Sequence, residues 1–156
     1  MSEIEAHLMA VAIRYLTVRS RFTKEVEDRL NQEIYKKKLT ADSKDIDSII
    51  RKLKDKHFLD DEKFATEYAS YQLCTKNRGP LFIKAKLAFF GVDRVLIAQI
   101  ANDILTPAAQ LPIVSRLISK KIKHPDWSDL RQKSKVYRYL SSRGFESDII
   151  RSVIDV

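Results

Sequence analysis

Three observations predict an all-α fold. Apolar residues recur at helical spacing along almost the whole chain. Only three glycines and four prolines interrupt its 156 residues. No run of alternating β-branched residues marks a strand. Apolar residues make up 44% and charged residues 32%, a globular rather than a disordered composition.

The periodicity places about nine short helices. Leu8, Ala12, Tyr15 and Leu16 line the first, Val26 and Leu30 the second, and Ile46, Ile49, Ile50 and Leu53 the third. Phe64, Tyr68 and Tyr71 mark the fourth, Ile83, Leu87 and Phe90 the fifth, and Leu96 and Ile100 the sixth. Leu117 and Ile118 mark the seventh, Val136, Tyr139 and Leu140 the eighth, and Ile149, Ile150 and Val153 the ninth.

These helices repeat in threes. LAFFGVDRVLIAQI and RYLSSRGFESDIIRSV share a helix end, a glycine, an apolar residue, an acidic turn and a new helix. With Gly91 at C′, Leu87 is C3 and Val92 is C″; with Gly144 at C′, the same positions fall to Leu140 and Phe145. Those pairs touch in a Schellman cap, whose left-handed C′ residue favours glycine. The expected units are residues 1–58, 59–105 and 106–156. In the first, DIDSIIRKL matches the third helix of the others, but the glycine-free stretch at 35–44 implies an extended second helix or an inserted loop.

HFLDDEKFATEY, residues 57–68, sets Asp60, Asp61 and Glu62 side by side. Asp60 suits the N-cap of the helix opening the second unit, with Asp61 and Glu62 in its positive first turn. Leu59 and Phe64 then hold the N′ and N4 positions of a hydrophobic staple. Adjacent helical residues point about 100° apart, so the two aspartates are poor partners for shared chemistry. The trio starts a helix. NRGP reads as a further helix entry, with Gly79 at N-cap and Pro80 at N1.

Chemistry finds little else to use. Cys74 is the single cysteine, which excludes an intrachain disulfide and a cysteine-based zinc site; it is expected as a small, partly buried residue near a helix end. His7, His57 and His124 lie far apart, without ligand spacing. No phosphate-binding glycine loop occurs. A non-enzyme without metal or cofactor is expected. The opening MSEIEAHLMA is acidic where a signal peptide wants basic residues, and the longest uncharged run, ILTPAAQLPIVS, is too short to span a bilayer. The expected location is cytoplasmic.

Charge is more informative. The net charge is +8, distributed as +3, 0 and +5 over the three units. Such a balance points to nucleic acid or another acidic surface. Arg131, Lys135 and Arg138 form one stripe opposite Val136, Tyr139 and Leu140, with Lys120, Lys121, Lys123 and Arg143 in the same third. In the middle third Arg78, Lys84 and Lys86 flank the apolar line Ile83, Leu87 and Phe90. Phe82 and Phe89, seven apart, suit packing between neighbouring units better than a base-stacking platform.

Leu59-Asp60-Asp61, Phe64-Ala65, Arg78-Gly79-Pro80, Ile83, Leu87 and Gly91-Val92 together resemble the central signature of the RecX family, regulators of the bacterial RecA recombinase. AIRYLTVRSRFTKEVEDRL and YRYLSSRGFESDIIRSVI extend the resemblance over nearly the whole chain, and Tyr35 to Lys44 departs from it. The resemblance implies three tandem, helix-turn-helix-like three-helix units in an elongated, curved array. It implies a non-catalytic protein lying in the groove of the RecA–single-stranded-DNA filament. There it restrains ATP hydrolysis, strand exchange and the co-protease activity behind the SOS response to DNA damage. A monomer is expected, and weak binding to bare single- or double-stranded DNA is expected from the charge. The signature residues Leu59, Asp60, Asp61, Phe64, Gly79, Pro80, Gly91 and Gly144 are fold-forming. Two alternatives stand beside it: a direct helix-turn-helix-like DNA-binding protein, and a helical-repeat adaptor for another acidic protein. The partly acidic starts of the third helices, DRVLIAQI and ESDIIRSV, argue against base reading.

Overall fold

The computed structural model describes residues 2–155, and along them run nine α-helices with no strand. The chain divides into two compact units, one ending at Ala65 and the other beginning at Thr66.

In the first unit α1 (Glu3–Val18), α2 (Thr23–Lys37) and α3 (Ser43–Asp55) each pack on the other two. Their apolar stripes meet in a core of Leu8, Ala12, Val26, Leu30, Ile49 and Leu53, which Leu59 joins from beyond α3. Each leucine, isoleucine or valine among them contributes about 1.5–3 kcal/mol by leaving water. The caps are local for α1, where Ser2 accepts from the Glu5 amide, and for α3, where Asp42 and Asp45 bond each other's amides.

The start of α2 is capped differently. Phe22 holds the N-cap position but has no side-chain acceptor, and its ring is buried. Glu25 takes the Phe22 amide at 2.7 Å, and the Asp61 carboxylate takes the Thr23 amide at 2.8 Å. Phe22 also stacks on Phe64 at 4.4 Å between centroids. Asp60 meanwhile caps α4 (Asp61–Cys74) by accepting from the Lys63 amide. The adjacent aspartates thus serve two helices.

The glycine-free stretch after α2 keeps the cap seen elsewhere. Lys38 adopts φ 52, the Leu39 amide reaches the Ile34 carbonyl at 3.0 Å, and the Lys38 amide reaches that of Tyr35 at 3.4 Å. A lysine stands where the later turns have glycine. Thr40 and Ala41 then lengthen the connection to the Asp42 N-cap. His57 repeats the device at the end of α3, with φ 63 and the Phe58 amide on the Leu53 carbonyl.

The second unit holds most of α4, then α5 (Pro80–Phe89), α6 (Arg94–Asp103), α7 (Pro107–Lys121), α8 (Leu130–Ser142) and α9 (Ser147–Ile154). Helix α5 packs on α6, and α7, α8 and α9 form a mutual three-helix cluster. Gly91 and Gly144 stand at C′ with φ 79 and 97. Val92 and Phe145 return their amides to Leu87 and Leu140, and all four side chains are buried.

Gly79 does more than precede Pro80. Its amide donates to the Arg143 carbonyl at 2.8 Å, and the Leu81 amide donates to the Gly144 carbonyl at 2.9 Å. The carbonyl end of α8 therefore meets the amide end of α5, so two sets of otherwise orphaned groups satisfy each other.

Candidate nucleic-acid interface

Helix α8 starts at an Asp129 N-cap that accepts from the Arg131 amide, and it buries Val136 and Leu140. Arg131, Lys135 and Arg138 are consequently left exposed on the opposite face. The Arg138 Nε donates to the Ser134 carbonyl in the preceding turn. Lys120 and Lys121 close α7, where cations face the negative end of the helix, and Lys123 follows just beyond. The Lys121 ammonium lies 4.4 Å over the Tyr139 ring, which brings α7 and α8 cations onto one surface. Within the loop joining α7 to α8, the Ser128 hydroxyl and amide hold the Asp126 carboxyl below its ordinary value.

The other candidates divide. Lys86 is exposed on α5, and Arg78 places its guanidinium 4.5 Å over the Phe82 ring. Lys84 is paired with Glu146 at 3.5 Å, a part-exposed contact of small energetic weight. Arg143 turns inward: Nε donates to the Asn77 carbonyl at 3.2 Å, and a terminal nitrogen donates to the Lys76 carbonyl. Arg116 adds a bond to the Asn77 side chain. Arg143 therefore braces the turn before α5.

A groove of about 650 Å³ between α8 and α9 brings in residues the periodicity did not single out: Lys133, Tyr137 and Arg151, with Leu130 and Ile154 as apolar lining. Leu130, Lys133, Ser134, Tyr137 and Arg138 follow helical neighbour spacing, so the α8 face was readable. Nothing local in the sequence brings Arg151 beside them.

Packing also revises two expectations. Phe89 is 64% exposed rather than packed between units, and Phe90 and Tyr68 meet nearly perpendicular, with centroids 6.0 Å apart. Cys74 ends α4 exposed, not partly buried. No group of three His, Cys, Asp or Glu side chains suited to a metal ion occurs among the described residues. Among them, too, no helix is long and apolar enough to cross a membrane.

The arrangement defines an all-α protein whose candidate site is a set of exposed cations on successive helices. A family model described as RecX, third three-helix domain, matches residues 113–154. The curated "Regulatory protein RecX" of Bacillus licheniformis is 33% identical over 144 residues, covering 92% of this chain and 52% of that protein. The protein of the same name from Oceanobacillus iheyensis is 30% identical over 152 residues, covering 92% and 51%. The crystal structure of RecX from Lactobacillus salivarius superposes with a TM-score of 0.81 at 25% identity, covering 99% of this chain and 97% of that one. Over 92% of its sequence and 99% of its backbone the chain is similar to RecX proteins. It spans about half the length of the curated relatives it matches.

Proposed function

We propose that this chain is a non-catalytic regulator of the RecA recombinase. It binds in the groove of the RecA–single-stranded-DNA filament and inhibits ATP hydrolysis, strand exchange and co-protease activity. The observation that carries this reading is the likeness to RecX along nearly the whole chain, in sequence and in backbone. A succession of three-helix units at 1–58, 59–105 and 106–156 belongs to the same proposal.

The surface chemistry supports it. Arg131, Lys135 and Arg138 with Lys120, Lys121 and Lys123 offer charge to phosphates or to acidic side chains without any deep pocket. Lys86 and Arg78 extend the cationic surface to α5. Lys84 and Arg143 hold this chain together instead.

The test is binding of labelled protein to RecA filaments assembled on single-stranded DNA with a slowly hydrolysed nucleotide, at near-physiological salt. The same DNA without RecA runs alongside, and RecA ATP hydrolysis is followed in parallel. A marked preference for filaments with slowed hydrolysis is expected. Equal or stronger binding to bare DNA would remove the reading in favour of direct DNA binding.

A further inference from the structure

We propose that the face of α5 carrying Phe82 and Phe89 is a stacking site for unpaired nucleic acid, with phosphates on Lys86 and on Arg78 in the preceding turn. This goes beyond filament regulation and weak charge-driven binding of bare DNA, since it assigns a stacking surface to the single strand. Phe82, Lys86 and Phe89 fall at i, i+4 and i+7 and share one helix face, which Arg78 reaches from the turn before α5. The opposite face buries Ile83 and Leu87.

Cation and ring alternate in space as well as in sequence. The Arg78 guanidinium lies 4.5 Å from the Phe82 centroid, and the Lys86 ammonium lies 5.8 Å from both the Phe82 and the Phe89 centroids. Phe89 is 64% exposed, with its ring 5.5 Å from that of Phe90 and the Lys86 ammonium beside it. From Tyr68 to Val92 the chain carries Lys76, Arg78, Lys84 and Lys86 and not one acidic residue, so nothing on this segment repels an anion.

Alternation of ring and charge matches the base and phosphate of a single strand. A duplex would leave the rings unused, because paired bases hide their faces in their own stack. An acidic protein segment would use the cations as ion-pair partners but has no need of two rings about 10 Å apart along a helix axis. Stacking on aromatic rings is sequence-tolerant, since every base has a π-face.

The test uses the full chain and fluorescence anisotropy with a short labelled oligothymidylate, a duplex of equal length, and polyglutamate as competitor. Phe89→Ala is the primary variant, because the Phe89 ring is mostly exposed, and the thermal midpoint checks that losing the Phe90 contact leaves the fold intact. It is expected to weaken oligothymidylate binding about fivefold or more, the loss of one stacked base. Duplex binding and the salt dependence stay unchanged. Lys86→Gln is expected to lower the salt slope by about 0.7 on the single strand. Unchanged oligothymidylate binding by Phe89→Ala, or equal losses on strand and duplex, would overturn the proposal. Polyglutamate binding that depends equally on Phe89 would overturn it in favour of an acidic protein partner. Because the probe is free of RecA, none of these outcomes bears on filament binding.

Discussion

Gly79 and Gly144 lie backbone against backbone. A Cβ on Gly144 would meet the Phe82 Cβ at 2.7 Å, and one on Gly79 would sit well inside contact with the Gly144 carbonyl. Gly79 has an ordinary extended backbone, so it is required by proximity and not by its dihedral angles. Gly79→Ala is expected to cost about 2–3 kcal/mol, as overpacking against atoms that cannot move aside. Gly144→Ala should cost at least as much, because φ 97 adds strain. Gly91→Ala, at an exposed turn, should cost only about 1 kcal/mol. Chemical denaturation of the three variants checks the order, and equal losses would contradict it.

Lys38 makes the opposite case. Its left-handed φ of 52 carries a penalty of roughly 1–2 kcal/mol that glycine avoids, partly offset by the greater freedom of glycine in the unfolded chain. Lys38→Gly should stabilise the first unit by about 0.5–1 kcal/mol. A lower midpoint in a denaturant titration would show that the lysine side chain makes a compensating contact.

Asp61 is tested through the helix it does not belong to. Asp61→Ala removes the acceptor for the Thr23 amide and should cost about 1 kcal/mol. Asp61→Asn keeps an acceptor oxygen and should lose less. Hydrogen exchange locates the effect: faster exchange of the Thr23 amide, at the start of α2, is the expected signature.

Acid should unfold the first unit by a nameable route. The His7 hydrogen bond and then the Arg29 contact hold the Glu33 carboxyl below the ordinary glutamate value of 4.5, and the Lys52 hydrogen bond does the same for Glu5. A depressed folded-state value stabilises above the unfolded one and is lost as pH falls through the folded one. Thermal midpoints should therefore drop as pH falls from 4.5 toward and through those depressed values. Glu33→Gln and Glu5→Gln should be less stable at neutral pH but less sensitive across that acid window. A parallel profile for variants and parent would remove these two pairs as the cause.

On the surface, charge reversal at Arg131, Lys135 and Arg138 should weaken filament binding and flatten its salt dependence without altering the fold. Each is exposed on the face of α8 opposite its buried side. Arg143→Ala should behave differently, lowering stability by about 1–2 kcal/mol through its lost carbonyl contacts. Unchanged filament affinity at moderate salt in the triple reversal would detach the α8 stripe from the proposed function.

What could be read from the chain depended on distance along it. The caps at Gly91 and Gly144 were legible because glycine, C″ and C3 lie within six residues and glycine flags the left-handed turn. The same cap at Lys38 was silent, since a lysine carries no such flag. Asp61 was correctly placed in a first turn, yet its bond to Thr23 depends on how α2 returns past α4. The α8 stripe followed from periodicity, whereas the inward turn of Arg143 and the meeting of Gly79 with Gly144 are tertiary. Phe82 and Phe89 share a helix face in the sequence, but helical spacing gives a face and not what covers it.

The brace between the α4–α5 turn and the α8–α9 turn makes one covalent link partly redundant. Gly79, Leu81 and Asn77 already tie α5 to Arg143, Gly144 and Arg116 by several hydrogen bonds. The peptide connecting α6 to α7 at Ile104–Thr106 is therefore not the sole tether between those segments. A chain opened there keeps a non-covalent clasp, which makes this connection the natural place to divide the molecule into two complementing fragments.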